Sequence, residues 1–473
     1  MYLRQSIPLL LISLFVQMAN SDLIIIGGGP GGYKTAEYAA SKGISVTIFE
    51  SGFLGGTCLN AGCIPTKALA RSAEVAWNIR NAQEFGIKGF APSPDIKDII
   101  ARKDSIVANL RQGISSLLSR PGITLVPHKA EFVSPNTLAD SETGEIYKAK
   151  NIIIAAGSTH KILPLDGISQ LMDGDDPLVL TSDSILNINH LPESLCIIGA
   201  GVIGMELASI FSLLGSQVSV VEYMKECIPS LDREIAKRLR KAMEKRGIKF
   251  YMQSEVSSIS RKGENAVITF RRKGLQQESL EARKVLMAVG RRPITDGYGL
   301  ELSGIEYDSK GIKTDSYSFQ TNVAGIYAIG DVNGRLMLAH AAIMQGKRAV
   351  NHILDLLPDG IRSNIIPAAI FTFPEAACVG KSEEDAADIP VSVLKAFHRS
   401  NGRAQAMGET DGMVKVLADK ESGQIIGCHA YGAQASQLVQ EVSSLMCFGI
   451  KANQLAMITH IHPTISELLQ ELR

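Results

Sequence analysis

The sequence predicts an α/β chain: two doubly wound βαβ units on parallel sheets, followed by a smaller α+β segment. Three observations predict it. Residues 23–50 run as a short apolar stretch, a glycine-rich loop, a helical stretch and a second apolar stretch that ends in an acid. The same order recurs over residues 195–222. From about residue 367 the pattern changes to alternating strands and helices. At 473 residues the chain has room for about three domains.

The N-terminus carries Arg4 and then an apolar run over residues 7–18, broken by Pro8, Ser13 and Gln17. The run resembles a signal-peptide core and is too short for a membrane span. The first strand is expected at residues 23–26, so residues 1–21 read as an N-terminal extension or a signal-like segment, with translation from Met18 or an unstructured extension favoured over an export signal.

The run at 23–26 is continuously apolar, as a buried parallel strand is. Gly27-Gly28-Gly29-Pro30-Gly31-Gly32 follows, then a helix over 33–42 and a strand over 46–49 that ends at Glu50. Gly27, Gly29 and Gly32 fall on the spacing of a Rossmann-like loop, in which a pyrophosphate meets free N–H groups and the positive end of a helix. Glu50 would then accept hydrogen bonds from ribose hydroxyls. In the second unit the loop is Gly199-Ala200-Gly201-Val202-Ile203-Gly204, and Glu222 is the terminal acid. Gly199, Gly201 and Gly204 repeat the spacing, and a carboxylate at 222 repels a ribose 2′-phosphate, which favours NAD over NADP. Lys225 reads as a solvated cation.

Between the units, residues 99–118 carry apolar residues at helical spacing and read as a packing helix. Residues 151–156 form another apolar strand, closed by Gly157. After the second unit, a strand over 285–289 leads to Gly290-Arg291-Arg292-Pro293, and residues 325–331 give a strand that ends in Gly-Asp at Asp331. Asp331 would reach the first dinucleotide from the side opposite Glu50. Arg291 and Arg292 either approach the nicotinamide dinucleotide's phosphates or cap a turn. In the C-terminal part, strands are expected over 414–417 and 424–430 and a helix over 437–448.

Two cysteines, Cys58 and Cys63, flank a four-residue gap in Gly55-Gly56-Thr57-Cys58-Leu59-Asn60-Ala61-Gly62-Cys63-Ile64-Pro65-Thr66-Lys67. The spacing allows a small disulfide ring, and a thiol pair near a dinucleotide loop suggests electron transfer. The alternatives are a structural disulfide or half of a zinc site. Zinc wants a second Cys or His pair at similar spacing, and none appears, so no metal is expected. Lys67 lies one helical turn after Cys63 and would lower a thiol pKa there. Glu206 follows the second glycine loop and is placed to pair with Lys67. Near the end, His462 precedes Glu467 by five residues across Pro463, a pattern that suits a base oriented by a carboxylate. His460 reads as a packing or hydrogen-bonding residue, and Met205, Met344 and Met446 as core.

Basic and acidic residues balance at 48 each, which argues against nucleic acid as a partner. Of seven cysteines, Cys196, Cys378 and Cys447 lie in apolar stretches and read as reduced core thiols, and Cys227 and Cys428 have no evident partner. That usage fits a reducing compartment, so a cytoplasmic location is expected.

Taken together, these segments resemble the flavin-dependent pyridine nucleotide–disulfide oxidoreductases, and among them the dihydrolipoyl dehydrogenases. The resemblance rests on the two glycine loops, residues 55–67, Glu206, Gly290–Pro293, the segment 325–332, Leu338-Ala339-His340 and the segment 462–467. It implies a glutathione-reductase-like fold: an FAD-binding domain over 22–160 and 288–355, an NAD-binding domain over 161–287, and a dimerisation domain over 356–473. It implies FAD contacts at Thr57, Lys67, Ala130, Gly157 and Ala339, besides Gly27, Gly29, Gly32, Glu50 and Asp331. For NAD it adds Val256 and Gly290 to Gly199, Gly201, Gly204, Glu206 and Glu222. Cys58 and Cys63 would be the redox disulfide, and His462 with Glu467 the base, supplied across a homodimer. The expected partner is the lipoyl domain of a 2-oxoacid dehydrogenase or glycine cleavage complex. A reductase of another small disulfide, or a flavoprotein redox sensor, is the alternative. This chain departs from the pattern at Thr66, at Lys34 and over residues 341–344.

Overall fold

The computed structural model describes residues 18–89, 93–356 and 365–473. The expected N-terminal extension up to residue 17 lies outside them. Residues 18–21 do not belong to an extension. They open β1 (Met18–Ile26), whose Met18–Ser21 stretch pairs in parallel with Ile146–Ala149. Sequence pattern hides this because Asn20, Ser21 and Asp22 interrupt the apolar run, whereas the pairing is a backbone matter.

After β1 come α1 (Pro30–Ser41) and β2 (Val46–Phe49). Pro30 occupies the first helical turn, where its missing N–H costs nothing, so the helix begins earlier than the apolar pattern indicates. Next are α2 (Gly56–Ala61), α3 (Cys63–Arg80) and α4 (Ile96–Leu118), then β3 (Ile123–Val126), β4 (Ala130–Ser134), β5 (Thr137–Asp140) and β6 (Ile146–Ile154). These strands form a sheet in the order β3-β2-β1-β6-β5-β4, and Ile326–Ala328 returns late in the chain to pair with β6. The strands β1, β2, β3 and β6 run parallel, with Leu23, Ile24, Ile25 and Ile152 fully inside.

A second, five-stranded parallel sheet contains Ser194–Ile198, Gln217–Val221 and Lys284–Met287. Helix Val202–Leu214 packs on it and is buried along most of its length. Two features have no counterpart in the sequence reading. Residues Ser254–Lys262, Asn265–Arg272 and Gln277–Ala282 form a three-stranded antiparallel sheet. Ser158–His160 and Arg291–Pro293 pair as a two-stranded link where the chain crosses between the large sheets. The C-terminal part is a five-stranded antiparallel sheet covered by helix Ala435–Cys447, which buries Leu438, Val439, Val442 and Met446.

One apolar cluster ties these parts together. It joins Leu69 and Ala73 of α3, Met205 and Phe211 of the second unit, and Met413 and Tyr431 of the C-terminal sheet. The helix that begins at Cys63 is thereby fixed against both neighbouring layers. Cys196, Cys227, Cys378 and Cys428 are buried thiols, and the side chains of Met205 and Met446 are buried too. Met344 is half-buried. Cys447 is not a core residue: it is half-buried at the end of its helix and borders the large cavity described below. Among the described residues, no helix is long and apolar enough to cross a membrane.

Candidate active site

One cavity of about 1920 Å³ runs from the first glycine loop, past Cys58 and Cys63, to the second glycine loop. The two loops are built alike. Gly27 has φ +106° and Gly199 φ +105°, and a Cβ on either would lie 2.4 Å from a carbonyl oxygen, of Ala155 or Ala288. These are left-handed conformations in which a side chain would be strained, so glycine is required. Gly29 and Gly201 cap their helices without a side-chain bond, leaving backbone N–H groups free. Both face open cavity space: nothing lies within 4 Å of a Cβ position at Gly201, and at Gly29 only Gly56 Cα, at 3.9 Å.

Gly32 and Gly204 do not line the cavity, contrary to the expectation that they bind cofactor. A Cβ on Gly32 would lie 1.8 Å from the Gly27 oxygen, and one on Gly204 2.0 Å from the Gly199 oxygen. Their role is to let each helix close onto its own loop.

The acids repeat as well. Glu50 accepts from Gly28 N and Gly52 N, both at 2.7 Å. Glu222 accepts from Ala200 N at 2.5 Å and Met224 N at 2.6 Å. Each carboxylate is thus held at the lip of its loop and borders the cavity. Thr57, Lys67, Ala130, Gly157, Asp331, Ala339, Glu206, Val256 and Gly290 border it too.

Asp331 has support that the sequence reading missed. Ser158 Oγ donates to it at 2.5 Å, and Arg291 Nε donates to Ser158 Oγ at 2.8 Å. Burial pushes the Asp331 carboxyl above its usual range, against the Ser158 bond and the nearby guanidinium. Arg291 therefore acts through Ser158, whereas Arg292 pairs with Asp296 at 3.0 Å and points away from this network. The antiparallel pairing of residues 158–160 with 291–293 brings these groups together, and no local motif announces it.

Cys58 lies in α2 and Cys63 is the first residue of α3, with Gly62 between the helices. Both are free thiols, close enough for each to shift the other's titration. Cys63 is exposed to the cavity, and Cys58 is half-buried. The Cys58 hydrogen bond, against burial and with help from the Lys67 ammonium, brings the Cys63 thiol down to about 7. The same bond to Cys63, with burial, pushes Cys58 up. Thiolate character therefore falls on Cys63, and Cys58 keeps its proton. Lys67 Nζ donates to both Glu206 oxygens, at 2.9 and 2.8 Å, and Phe371 N donates to Oε1 at 2.8 Å. The sequence-predicted Lys67–Glu206 pair is therefore formed.

His462 and Glu467 are joined but stand apart from this cavity. Nδ1 of His462 lies 2.8 Å from Glu467 Oε1, and Thr464 N donates to Oε2 at 2.8 Å. A carboxylate accepts only, so Nδ1 carries the hydrogen and Nε2 is the basic nitrogen. The His462 hydrogen bond, then that of Thr464, holds the Glu467 carboxyl below its usual range. The His462 side chain is 81% exposed and does not border the cavity of its own chain.

The FAD expectation meets a fitting site. The loop with free helical N–H groups, the acid at its lip, the supported buried carboxylate of Asp331 and the thiol pair share one continuous space. The second loop, with Glu222, offers the same features to NAD.

Comparison with known proteins agrees. Residues 21–346 match the family described as pyridine nucleotide-disulphide oxidoreductase, and residues 366–473 match its dimerisation domain. The chain is 37% identical over 460 residues to the mitochondrial dihydrolipoyl dehydrogenase 2 of Arabidopsis thaliana, covering 96% of this chain and 89% of that one. It is 37% identical over 453 residues to the dihydrolipoyl dehydrogenase of Chlamydia muridarum, covering 95% of each. Among solved structures, LpdA from Mycobacterium tuberculosis superposes with a TM-score of 0.85 at 27% identity, covering 95% of this chain and 98% of that one. The chain belongs to the pyridine nucleotide-disulphide oxidoreductases, as an enzyme that uses FAD and NAD and carries the family's dimerisation domain for a homodimer.

Proposed function

We propose that this enzyme is a dihydrolipoyl dehydrogenase, which oxidises protein-bound dihydrolipoamide and reduces NAD⁺ to NADH. One observation carries the reading above all: the Cys58–Cys63 pair, with Cys63 pulled toward thiolate, lies in the same cavity as both dinucleotide loops. We assign the first glycine loop, Glu50 and Asp331 to FAD, and residues 161–287 with Glu222 to NAD. FAD, when bound, supplies two-electron transfer between the cysteine pair and NAD⁺.

The chain's own groups do the rest. In the oxidised enzyme Cys58 and Cys63 form a disulfide. A substrate thiol gives its proton to His462 Nε2 and attacks Cys58 Sγ, and the Cys58–Cys63 bond breaks. Cys63 leaves as a thiolate, supported by the Lys67 charge; the Cys58 hydrogen bond to it forms only once Cys58 is released as a thiol. The second substrate thiol attacks the substrate sulfur of the mixed disulfide, the bond from that sulfur to Cys58 breaks, and the proton lost by the attacking thiol passes to the departing Cys58 sulfur, so that one proton ends on Cys58 and one on His462. The substrate departs as a cyclic disulfide, and two electrons rest on the cysteine pair. Glu467 fixes the His462 tautomer throughout. Because His462 faces out of its own chain, it serves the cysteine pair of the partner subunit, and the two chains share each site.

The natural electron donor is then a lipoyl domain of a 2-oxoacid dehydrogenase or glycine cleavage complex. The buried thiols at 196, 227, 378 and 428 fit a reducing compartment such as the cytoplasm. The test is NADH formation from dihydrolipoamide and NAD⁺ by the purified FAD-loaded protein. Cys58→Ser and Cys63→Ser should each abolish it while FAD stays bound. Turnover by the double serine variant would end the disulfide mechanism.

A further inference from the structure

His462 is 81% exposed, so packing does not hold its ring. Its place is set by the dyad with Glu467 and by the two ends of the loop that carries it. At the near end, the His460 side chain is only 4% exposed, and its Nε2 donates to Glu441 Oε1 at 2.9 Å. At the far end, Ser466 Oγ donates to Glu441 Oε2 at 2.7 Å. Both bonds converge on one carboxylate.

Glu441 stands on helix Ala435–Cys447, whose Leu438, Val439, Val442 and Met446 are buried against the C-terminal sheet. The carboxylate is thereby fixed to a rigid element. The His460 ring has no second anchor among the described residues, since its Nδ1 is buried without a hydrogen-bond partner. Between the two ends, Thr464 Oγ1 donates to Ile461 O at 2.7 Å, and Asn401 Nδ2 donates to Thr464 O at 2.9 Å. These bonds shape the loop's middle. Among the described residues, Glu441 is the one side chain that hydrogen-bonds to both ends of the loop, with the buried Ile465 adding apolar packing at the far end.

We propose that Glu441 is a positioning residue for dihydrolipoamide oxidation: it pins both ends of the base-bearing loop and so sets where His462 Nε2 stands against the partner subunit's cysteine pair. The proposal rests on the reading of His462 as the base. Misplacing a reacting group by about 1 Å costs on the order of 10²-fold in rate.

The test uses the full-length FAD-loaded homodimer with Glu441→Ala, Glu441→Gln and His462→Ala. Dihydrolipoamide turnover is compared with NADH oxidation by ferricyanide, which requires no proton from a substrate thiol, and with the dimer mass from light scattering. Glu441→Ala should lose about 10- to 100-fold in kcat with dihydrolipoamide. It should keep the ferricyanide rate and the dimer. Glu441→Gln should recover to within about threefold, because its amide oxygen accepts from His460 and its NH₂ donates to Ser466.

Three results would overturn the proposal. One is Glu441→Ala within twofold of the parent. Another is a parallel loss of the ferricyanide rate or of the dimer, which marks a general structural role. The last is Glu441→Gln as impaired as Glu441→Ala, which marks a need for charge rather than anchoring. A fully active His462→Ala would overturn the base reading as well. A dead His462→Ala beside an active Glu441→Ala would overturn this inference alone.

Discussion

Replacing Lys67 by methionine tests how the centre of the site is held. Lys67 meets Glu206 at 2.9 and 2.8 Å, with the Glu206 side chain 5% exposed and that of Lys67 34% exposed. At 2.8 Å, two unit charges attract by about 6 kcal/mol at an effective dielectric constant of about 20. Most of that gain offsets the desolvation of a buried carboxylate, so the net worth of the pair is far smaller than the attraction. Removing Lys67 leaves Glu206 charged and buried with one strong donor, Phe371 N. The cost should be about 3 kcal/mol, the low end for breaking a buried pair, because the lysine is partly solvated. Glu206→Gln keeps the Phe371 bond and strands only that partly solvated ammonium, at about 1 kcal/mol. The double variant Lys67→Met/Glu206→Gln carries no unpaired charge. It should therefore be more stable than Lys67→Met alone, with a coupling of about 1 to 2 kcal/mol. The assay is urea denaturation of all four FAD-loaded dimers by circular dichroism at equal protein concentration. Single costs that add to within about 0.3 kcal/mol would refute the reasoning.

Four further outcomes follow from the same geometry. In the reduced protein, absorbance of a single thiolate near 240 nm should titrate with a midpoint at about 7, present above it and absent below, and Cys63→Ser should abolish the signal. A midpoint at the usual thiol value near 9.0 would contradict the assignment. Lys67→Met should move this midpoint upward, since the ammonium supports the thiolate after the Cys58 bond. His462→Ala should lower kcat with dihydrolipoamide by about 10² to 10⁴ and leave the dimer yellow, whereas a twofold drop would reduce His462 to a structural residue. Gly32→Ala, whose new Cβ would lie 1.8 Å from the Gly27 oxygen, should purify with little FAD; full flavin absorbance at 450 nm would contradict the packing role.

The features legible in the sequence are those fixed by near neighbours. A left-handed glycine at 27 or 199 and an acid at the end of the following strand lie within one βαβ unit, so spacing alone reveals them. The Cys58–Cys63 loop and the His462–Glu467 pair are equally local. Lys67 and Glu206 are 139 residues apart, and only the meeting of the two glycine loops, not a local pattern, points to their pairing. The residues that escaped depend on distant register. Ser158 and Arg291 support Asp331 only because short strands 133 residues apart pair with each other. Gly32 and Gly204 look like ligand glycines by spacing, yet their contact is with their own loop's carbonyl. Cys447 sits in an apolar stretch, but the polar side of its helix, with Gln440, Ser443 and Ser444, borders the cavity. Glu441 carries no motif, since its two partners lie 19 and 25 residues away on a loop whose shape sequence does not give.

The central claim is that each reaction centre combines the cysteine pair of one chain with the exposed histidine of the other. Subunit complementation tests it most directly. Cys58→Ser and His462→Ala homodimers should each be inactive in forming NADH from dihydrolipoamide. When the two chains are co-expressed with different affinity tags, half of the dimers are mixed, and each mixed dimer has one intact centre, so activity should return to about one quarter of the parent. Mixed dimers that remain inactive, or a His462→Ala homodimer that turns over normally, would contradict the account.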